Sequence, residues 1–139
     1  MCMKKDNEIL KLSGLKSTPT RLSVLEVFSQ YCKPINAEYI LDILGKDKTD
    51  TVTVYRTLNM FEKKKIIHQV DLRKDSVYYE FSNHHHHHHI VCTKCGYIER
   101  FDDCRISEMS KELLSKKSKF NIIQSHSFEL FGLCNKCNK

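Results

Sequence analysis

The stretch "DTVTVYRTLNMFEKKKIIHQVDLRKDSVYYEF", residues 50 to 81, carries the strongest fold signals in the first half of the chain. Its opening β-branched run favours a strand by propensity. However, Val54, Leu58 and Phe61 recur at the i, i+4, i+7 spacing of one helical face. Asp50 is also placed to cap a first helical turn. We therefore predict that residues 50 to 65 form a helix.

The second part of this stretch consists of two apolar segments around a polar turn. The segments "IIHQV" and "VYYEF" flank "DLRKDS" and predict a β-hairpin. Upstream, "TPTRLSVLEVFSQY" predicts a helix entered through Thr-Pro. The segment "NAEYILDILG" predicts another helix, capped by Asn36 and ended by Gly45. Three helices followed by a hairpin is the order of a winged helix-turn-helix.

The second half of the chain has a different pattern. The segments "HIVC" and "GYIERF" predict strands, "RISEMSKELLSKKS" predicts a helix, and "FNIIQSHSFELFGLC" predicts a return to strand. The boundary between Ser82 and Asn83 rests on this change of pattern. The expected fold class is α+β, with a winged helix-turn-helix domain at residues 1–82 and a small α/β domain at residues 83–139.

Composition limits the setting and the partners. The 139 residues include 40% hydrophobic residues, and the mean hydropathy is −0.47. We expect a cytoplasmic protein, because no apolar run is long enough to span a membrane and the first residues lack a signal core. The net charge of +6 suits a polyanionic partner. The excess of basic residues is equal in the two halves, so charge alone does not locate a binding face.

Seven cysteines include two Cys-x-x-Cys pairs, "CTKC" and "CNKC". An odd count in a reducing compartment favours free thiols for metal or redox chemistry over a disulfide framework. Four thiolates suit a closed structural Zn(II) site that joins the end of the last strand to the start of the first. The alternatives are a thiol-disulfide enzyme and four unrelated buried cysteines. Cys104 in "FDDC" is a candidate extra ligand.

Six consecutive histidines, residues 84 to 89, precede the first cysteine pair. The run is internal, so a purification tag is an unsatisfactory explanation, and a solvated polar strand is the main alternative to a metal site. If the run is extended, His85, His87 and His89 lie on one face, opposite His84, His86 and His88. Each face can then supply two imidazoles to a separate metal site.

The motifs together resemble the ferric uptake regulator (Fur) family of bacterial metal-responsive repressors. The resemblance runs from about residue 12 to residue 138 and rests on "GLKSTPTR", "TVTVYRTLNMFEKKKII", "YYEF", "HHHHHHIVCTKCG", "HSFELFGLC" and "CNKC". It implies a DNA-binding domain followed by a dimerisation domain. It also implies a homodimeric, metal-dependent transcriptional regulator that binds a double-stranded DNA operator. No catalytic activity and no membrane partner are expected.

The resemblance assigns three groups of metal ligands. Structural Zn(II) is assigned to Cys92, Cys95, Cys134 and Cys137. A regulatory divalent metal, Zn(II), Fe(II) or Mn(II), is assigned to a sensing site of His68, Glu80, His87 and His89. A further site is assigned to His86, His88, Glu108 and His126. The chain departs from the family pattern in lacking a His before its second predicted helix, in lacking a Cys near Ser82, and in carrying Arg100 where an acidic residue is usual.

The predicted recognition helix starts with side chains suited to DNA. Side chains at the N-terminal end of such a helix can contact base edges and phosphates in the major groove. The residues at this end are Thr51, Thr53, Tyr55 and Arg56. A core position is the alternative for Tyr55. Lys16 and Arg21 are expected to contact the DNA backbone or minor groove, as in the family.

Two other functions remain open at the level of sequence. One is a zinc-stabilised metal-buffering or protein-interaction module without an operator. The other is a peroxide sensor of the same family, which the missing N-terminal histidine makes less favourable. Binding to DNA that depends on metal and on salt separates the regulator from the buffering module.

Overall fold

The protein is described here from a computed structural model that covers residues 2–31, 33–82, 86–116 and 118–139. The chain divides into two compact units, residues 1–82 and 83–139. The described elements of the first unit are α1 (Cys2–Leu12), α2 (Pro19–Gln30), β1 (Ile35–Asn36), α3 (Ala37–Leu44), α4 (Thr51–Lys63), β2 (Ile67–Val70) and β3 (Tyr78–Phe81). Those of the second are β4 (His88–Cys92), β5 (Ile98–Phe101), α5 (Ile106–Ser115) and β6 (Glu129–Gly132).

The helix α4 forms where hydrophobic spacing, and not β propensity, predicted it. Val54, Leu58 and Phe61 are all 0% exposed and point into the core of the first unit. Asp50 caps the helix, because its Oδ1 accepts a hydrogen bond from the Thr53 N–H at 2.7 Å. Burial of the apolar stripe therefore outweighs the preference of the β-branched residues for a strand.

The helix α3 has the two ends predicted from the sequence. Asn36 Oδ1 accepts a hydrogen bond from the Tyr39 N–H at 2.9 Å. Gly45 follows the last turn with a φ of 82°, a left-handed conformation that glycine adopts without a Cβ clash. The α3–α4 pair with its short polar turn is the helix-turn-helix.

The helix α1 was not predicted. Its segment, "CMKKDNEILKL", is mostly polar, so it shows too few apolar positions to define a helical face. It packs on α2 chiefly through Leu10, which is 0% exposed. Asp6 is also buried, and the Ser29 hydroxyl of α2 donates a hydrogen bond to Asp6 Oδ1 at 3.2 Å.

We expect Asp6→Asn to stabilise the first unit at neutral pH. Burial raises the pKa of Asp6 above its ordinary value of 3.8, against the lowering effect of the Ser29 hydroxyl. The raised pKa means that the ionised carboxylate weakens the fold at neutral pH, and that this penalty fades as the pH falls through the folded pKa. Thermal unfolding should show a higher midpoint for the variant at neutral pH and a smaller difference in mild acid. A lower midpoint at neutral pH would contradict this account.

The wing is the predicted hairpin with one additional short strand. Strands β2 and β3 pair antiparallel, and His68 stands opposite Glu80 in the register. The two-residue strand β1, which was not predicted, pairs with the other edge of β3. The strand order β1-β3-β2 therefore places Glu80 on the central strand of this sheet.

The second unit is a three-stranded sheet of order β5-β4-β6 with the helix α5 between its last two strands in sequence. Strand β5 runs antiparallel to β4, and β6 runs parallel to it. The predicted order β-β-α-β is confirmed, and so is the α+β class. Strand β6 is shorter than predicted, because it covers only residues 129–132 of the apolar segment.

The prediction that the metal joins the last strand to the start of the first was wrong. Cys92 is the final residue of β4, and it stands beside Gly132 at the end of the parallel strand β6. Strand β5 returns the chain antiparallel to β4, and α5 then takes it to the other side of β4, so β6 runs in the same direction as β4. Both cysteine pairs consequently lie at the same end of the sheet, where β4 and β6 finish.

None of the helices in the described parts of the chain is both long and apolar enough to cross a bilayer.

Candidate metal centres and nucleic-acid interface

Four thiols converge at the C-terminal ends of strands β4 and β6. The Sγ atoms of Cys92, Cys95, Cys134 and Cys137 all lie within 4.8 Å of one another. Cys95 Sγ and Cys134 Sγ are 3.7 Å apart, close to the edge of a tetrahedron with Zn–S bonds of about 2.3 Å. Four sulfur donors with no open position are the ligand set of a structural zinc site.

Backbone turns hold these cysteines in place. The Gly96 N–H donates to the Cys92 carbonyl at 2.9 Å, and Gly96 has a φ of 75°. The Cys137 N–H donates to the Cys134 carbonyl at 2.9 Å in the second pair. The Thr93 N–H bonds the Gly132 carbonyl at 2.8 Å and links the two turns. Local backbone hydrogen bonds therefore fix the positions of the turns that carry the four cysteines.

The electrostatics of the four thiols favour a bound cation. Backbone N–H groups of Cys95 and Cys134 lower the pKa of the Cys92 thiol to about 6. The neighbouring thiols, chiefly that of Cys134, raise the pKa of Cys137 to about 12. The Cys92 thiol ionises readily, whereas hydrogen bonds to the neighbouring sulfurs and, to a smaller extent, the negative charge of Cys134 favour the protonated form of Cys137. A divalent ion compensates that charge and releases the protons.

A second group of donors lies within the same unit and contains three histidines and a cysteine. The ligand atoms of His86, His88, Cys104 and His126 are all within 4.8 Å of one another. The Nε2 atoms of His86 and His126 are 2.7 Å apart, and Cys104 Sγ lies 3.9 Å from His126 Nε2. We call these four side chains the Cys-His cluster.

His88 is the buried member of the Cys-His cluster. It is 4% exposed, with its ring against Phe101 and Phe128 at centroid distances of 5.5 and 5.3 Å. Its Nδ1–H donates to the Phe128 carbonyl at 2.9 Å, which leaves the lone pair on Nε2. Nε2 is buried and has no hydrogen-bond partner among the residues described. Burial also lowers the pKa of His88, which favours the neutral ring that a metal requires.

Glu108, assigned to this site by family resemblance, does not join these donors. It lies in the first turn of α5 and is exposed. In the part of the chain that the structure describes, Cys104 completes the group instead. Cys104 lies in the loop between β5 and α5, where the "FDDC" segment was the sequence signal for an extra ligand.

The other described histidines of the run face away from that cluster as a second pair. The ring centroids of His87 and His89 are 5.1 Å apart, and those of His86 and His88 are 4.8 Å apart. This is the alternation expected of an extended chain. His84 and His85, which were included in that prediction, lie outside the described residues.

The position of Arg100 places a cation near this second pair. Arg100 stands opposite His89 in the β4–β5 register, whereas Glu99 stands opposite Ile90. The Arg100 guanidinium donates two hydrogen bonds to Asp102 Oδ1, both at 3.0 Å. Asp102 therefore forms a surface ion pair with Arg100.

The wing of the first unit contains the remaining assigned ligands. His68 Nε2 and Glu80 Oε2 are 3.8 Å apart on adjacent strands. His68 is half-exposed at its side chain, and Glu80 is buried. A ring nitrogen and a carboxylate oxygen are thus adjacent in this sheet.

The N-terminal turns of α4 present a mixed apolar and basic face. Tyr55 is 44% exposed, which rules out the alternative that it belongs to the core. Thr51 and Arg56 are also exposed. Val52, which the sequence analysis did not single out, is 57% exposed on the same turns, and its methyl groups suit contact with thymine methyls.

Two of the predicted DNA contacts already have structural partners. Arg21 donates to the Lys16 carbonyl at 2.8 Å and approaches Met60 Sδ at 3.2 Å. Thr53 Oγ1 donates to Asp50 Oδ2 at 2.9 Å as part of the helix cap. Lys16 itself is exposed. Arg56, in contrast to Arg21, is exposed, and it is the basic residue of the first turns of α4.

Comparisons with known proteins agree with these features. The sequence matches the model of the Ferric uptake regulator family over residues 12–131. It is 37% identical over 137 residues to a ferric uptake regulation protein of Vibrio cholerae, covering 95% of this chain and 89% of that protein.

Solved structures show the same relationship. The Helicobacter pylori ferric uptake regulator, described as having three functional metal binding sites, matches with a TM-score of 0.78 and 32% identity. That match covers 98% of this chain and 91% of the other. A ferric uptake regulator from Francisella tularensis, solved with iron, matches with a TM-score of 0.77 and 28% identity over 91% of this chain and 96% of the other. The chain therefore belongs to the ferric uptake regulator family of metal-dependent transcriptional repressors, and it is a regulator of transcription and not an enzyme.

Proposed function

We propose that this chain is a homodimeric cytoplasmic repressor that binds operator DNA through α4 when a divalent metal occupies its sensing site. The observation that carries the proposal is the exposed N-terminal face of α4, with Tyr55 and Arg56, in a chain of a metal-dependent repressor family. Such a helix presents apolar groups and one guanidinium to the major groove.

The proposed sensing ligands are His68 and Glu80 from the wing with His87 and His89 from the second unit. Within each unit the two donors are adjacent, as the distances above describe. A metal that takes ligands from both units favours the arrangement of the units that brings its ligands together. Metal binding would thereby select the arrangement that places two recognition helices at half-site spacing.

The donor set admits more than one regulatory metal. Imidazoles with one carboxylate bind Zn(II), Fe(II) and Mn(II), and cellular availability decides among them as much as affinity does. Iron is present in the Francisella tularensis relative. The four cysteines would hold Zn(II) as a separate structural ion, because four thiolates suit zinc better than the harder ions.

The dimer is proposed from apolar surface that a single chain leaves open. On α5, Met109 is 56% exposed and Leu113 is 58% exposed, and no described residue of this helix is buried. Ile90 and Leu130, neighbours on β4 and β6, are 38% and 41% exposed. A second copy of the chain would bury both surfaces, since contiguous apolar patches of this kind mark interfaces.

Selection from a random double-stranded DNA library tests the proposed function. The protein with its structural zinc in place is incubated with the library and Mn(II), Zn(II) or, without oxygen, Fe(II). We expect one palindromic sequence to be enriched with metal and not after chelation of the weakly held ion. Tight metal binding without enrichment of any sequence would instead support a metal-buffering module.

We expect Arg56→Ala to weaken binding to the selected sequence by about 1 to 3 kcal/mol and to relax preference at one base pair. The reason is that a guanidinium in the groove bonds a guanine edge. Fluorescence anisotropy against the selected site and single-base variants measures both effects. Lys63→Ala, at the other end of α4, is the matched loss of one positive charge and should cost less. Equal binding by both variants would remove this helix from the groove.

A further inference from the structure

We propose that the second metal site of the dimerisation unit is a thiolate site, in which Cys104 and three histidines bind a soft or borderline ion such as Zn(II) or Co(II). This inference rests on the proposed function, because it concerns a second metal site of a metal-dependent regulator. It changes the ligand class of that site, because the carboxylate of Glu108 is replaced by the thiolate of Cys104.

The first argument is geometric. Nitrogen ligands of a tetrahedral zinc ion lie about 3.3 Å apart, and a nitrogen and a sulfur ligand lie about 3.6 Å apart. Cys104 Sγ is 3.9 Å from His126 Nε2, near the separation needed for two ligands of one ion. The 2.7 Å between the Nε2 atoms of His86 and His126 would open slightly when the ion enters.

The second argument is the buried nitrogen of His88. Its Nε2 has no hydrogen-bond partner in the described part of the chain, and the ring supplies a nitrogen within 4.8 Å of the other three donors. Leaving a buried polar atom without a partner is unfavourable, and a bound ion would supply the partner that this nitrogen lacks. The Phe128 carbonyl already fixes the tautomer that a metal needs.

The third argument concerns metal preference. Three imidazoles and one thiolate form a nitrogen-and-sulfur set that favours Zn(II) and Co(II) over the oxygen-seeking ions Mn(II) and Mg(II). The proposed sensing ligands include Glu80 and no sulfur. The two sites of one chain would therefore differ in the ions they prefer.

Cobalt spectroscopy tests the thiolate directly. Co(II) is added to protein that retains its structural zinc, and metal analysis confirms that the zinc stays bound. We expect a sulfur-to-cobalt charge-transfer band in the near ultraviolet, because Cys104 is the described thiol that lies outside the four-cysteine cluster and among the three imidazoles. Cys104→Ser should lose the band, and Glu108→Gln should keep it. A band that survives Cys104→Ser, or no band despite bound Co(II), would overturn the proposal.

Alkylation provides a second readout that does not depend on cobalt. With Zn(II) in the cluster, maleimide modification of Cys104 should slow on the order of tenfold or more, since the metal-bound thiolate is no longer a free nucleophile. Peptide mapping reports each cysteine separately. If modification of Cys104 is unchanged with Zn(II) bound, and Glu108→Gln loses that zinc, the ligand is the Glu108 carboxylate and the proposal is wrong.

The outcomes also separate this inference from the proposed function. Operator binding is measured on the same wild-type preparation that is used for cobalt spectroscopy. If wild-type protein binds DNA with metal but shows no cobalt–sulfur band, the regulator stands and the thiolate site fails. If the band appears but no DNA sequence is selected, the thiolate site stands and the repressor fails.

Discussion

Cys95→Ser is expected to release the structural zinc, to unfold much of the second unit and to abolish the dimer. In the described part of that unit, the buried apolar side chains are those of Val91 and Cys92. The first unit, by contrast, has a cluster of buried apolar residues drawn from its helices and wing. A unit with so small a core depends on its metal, and structural zinc contributes about 10 to 16 kcal/mol in small zinc domains.

Zinc content, circular dichroism and light scattering of purified Cys95→Ser measure these three effects. Cys104→Ser is the matched control, because it removes a thiol of the same unit that lies outside the four-cysteine cluster. The control should retain the structural zinc and remain dimeric. A stable, dimeric Cys95→Ser protein that has lost zinc would show that the four cysteines are dispensable for the fold.

The first unit could be predicted from sequence where local signals agreed with burial. For α4, hydrophobic spacing and the Asp50 cap pointed to a helix, and packing of Phe61 in the core decided against the β-branched run. The helix α1 shows the limit of this approach. Leu10 is its one fully buried apolar residue among those described, and one such residue does not produce a periodic pattern.

The candidate sites were predictable in their residue types but not in their full composition. The short spacing brings the two cysteines of each Cys-x-x-Cys pair together in any fold. Two such pairs therefore indicate a four-thiolate site from the sequence alone. The ligand set of the Cys-His cluster depends instead on the path of the loop before α5. Family resemblance assigned Glu108, and only the conformation of residues 102–105 brings Cys104 beside His126.

Strand direction was another property that sequence alone did not fix. The segment from β5 to β6 could have returned antiparallel or parallel to β4, and the cysteine spacing is compatible with both. The connection between the parallel strands β4 and β6 contains β5, which returns the chain, and α5, which takes it to the other side of β4. Because β4 and β6 run in the same direction, the cysteine pairs that follow them meet at one end of the sheet.

The histidine run provides the largest expected effect on regulation. The double change His87→Ala with His89→Ala should abolish metal-activated DNA binding while leaving the structural zinc and the dimer intact. The matched change His86→Ala with His88→Ala removes the same number of imidazoles from the other face. It should remove the metal equivalent of the Cys-His cluster and affect mainly stability or the sensitivity of the response.

Titration of both double variants with Zn(II), Mn(II) and Fe(II), followed by operator binding, separates the two faces. Adjacent side chains of an extended segment point in opposite directions, so each variant should lose a different metal equivalent. A merely solvated histidine tract has no such distinction, and the two variants would then lose similar, weak metal affinity. Indistinguishable titrations would therefore remove His87 and His89 from the sensing site. Loss of activation in the His87/His89 variant alone would place the metal response on that face and leave the Cys-His cluster as a separate site.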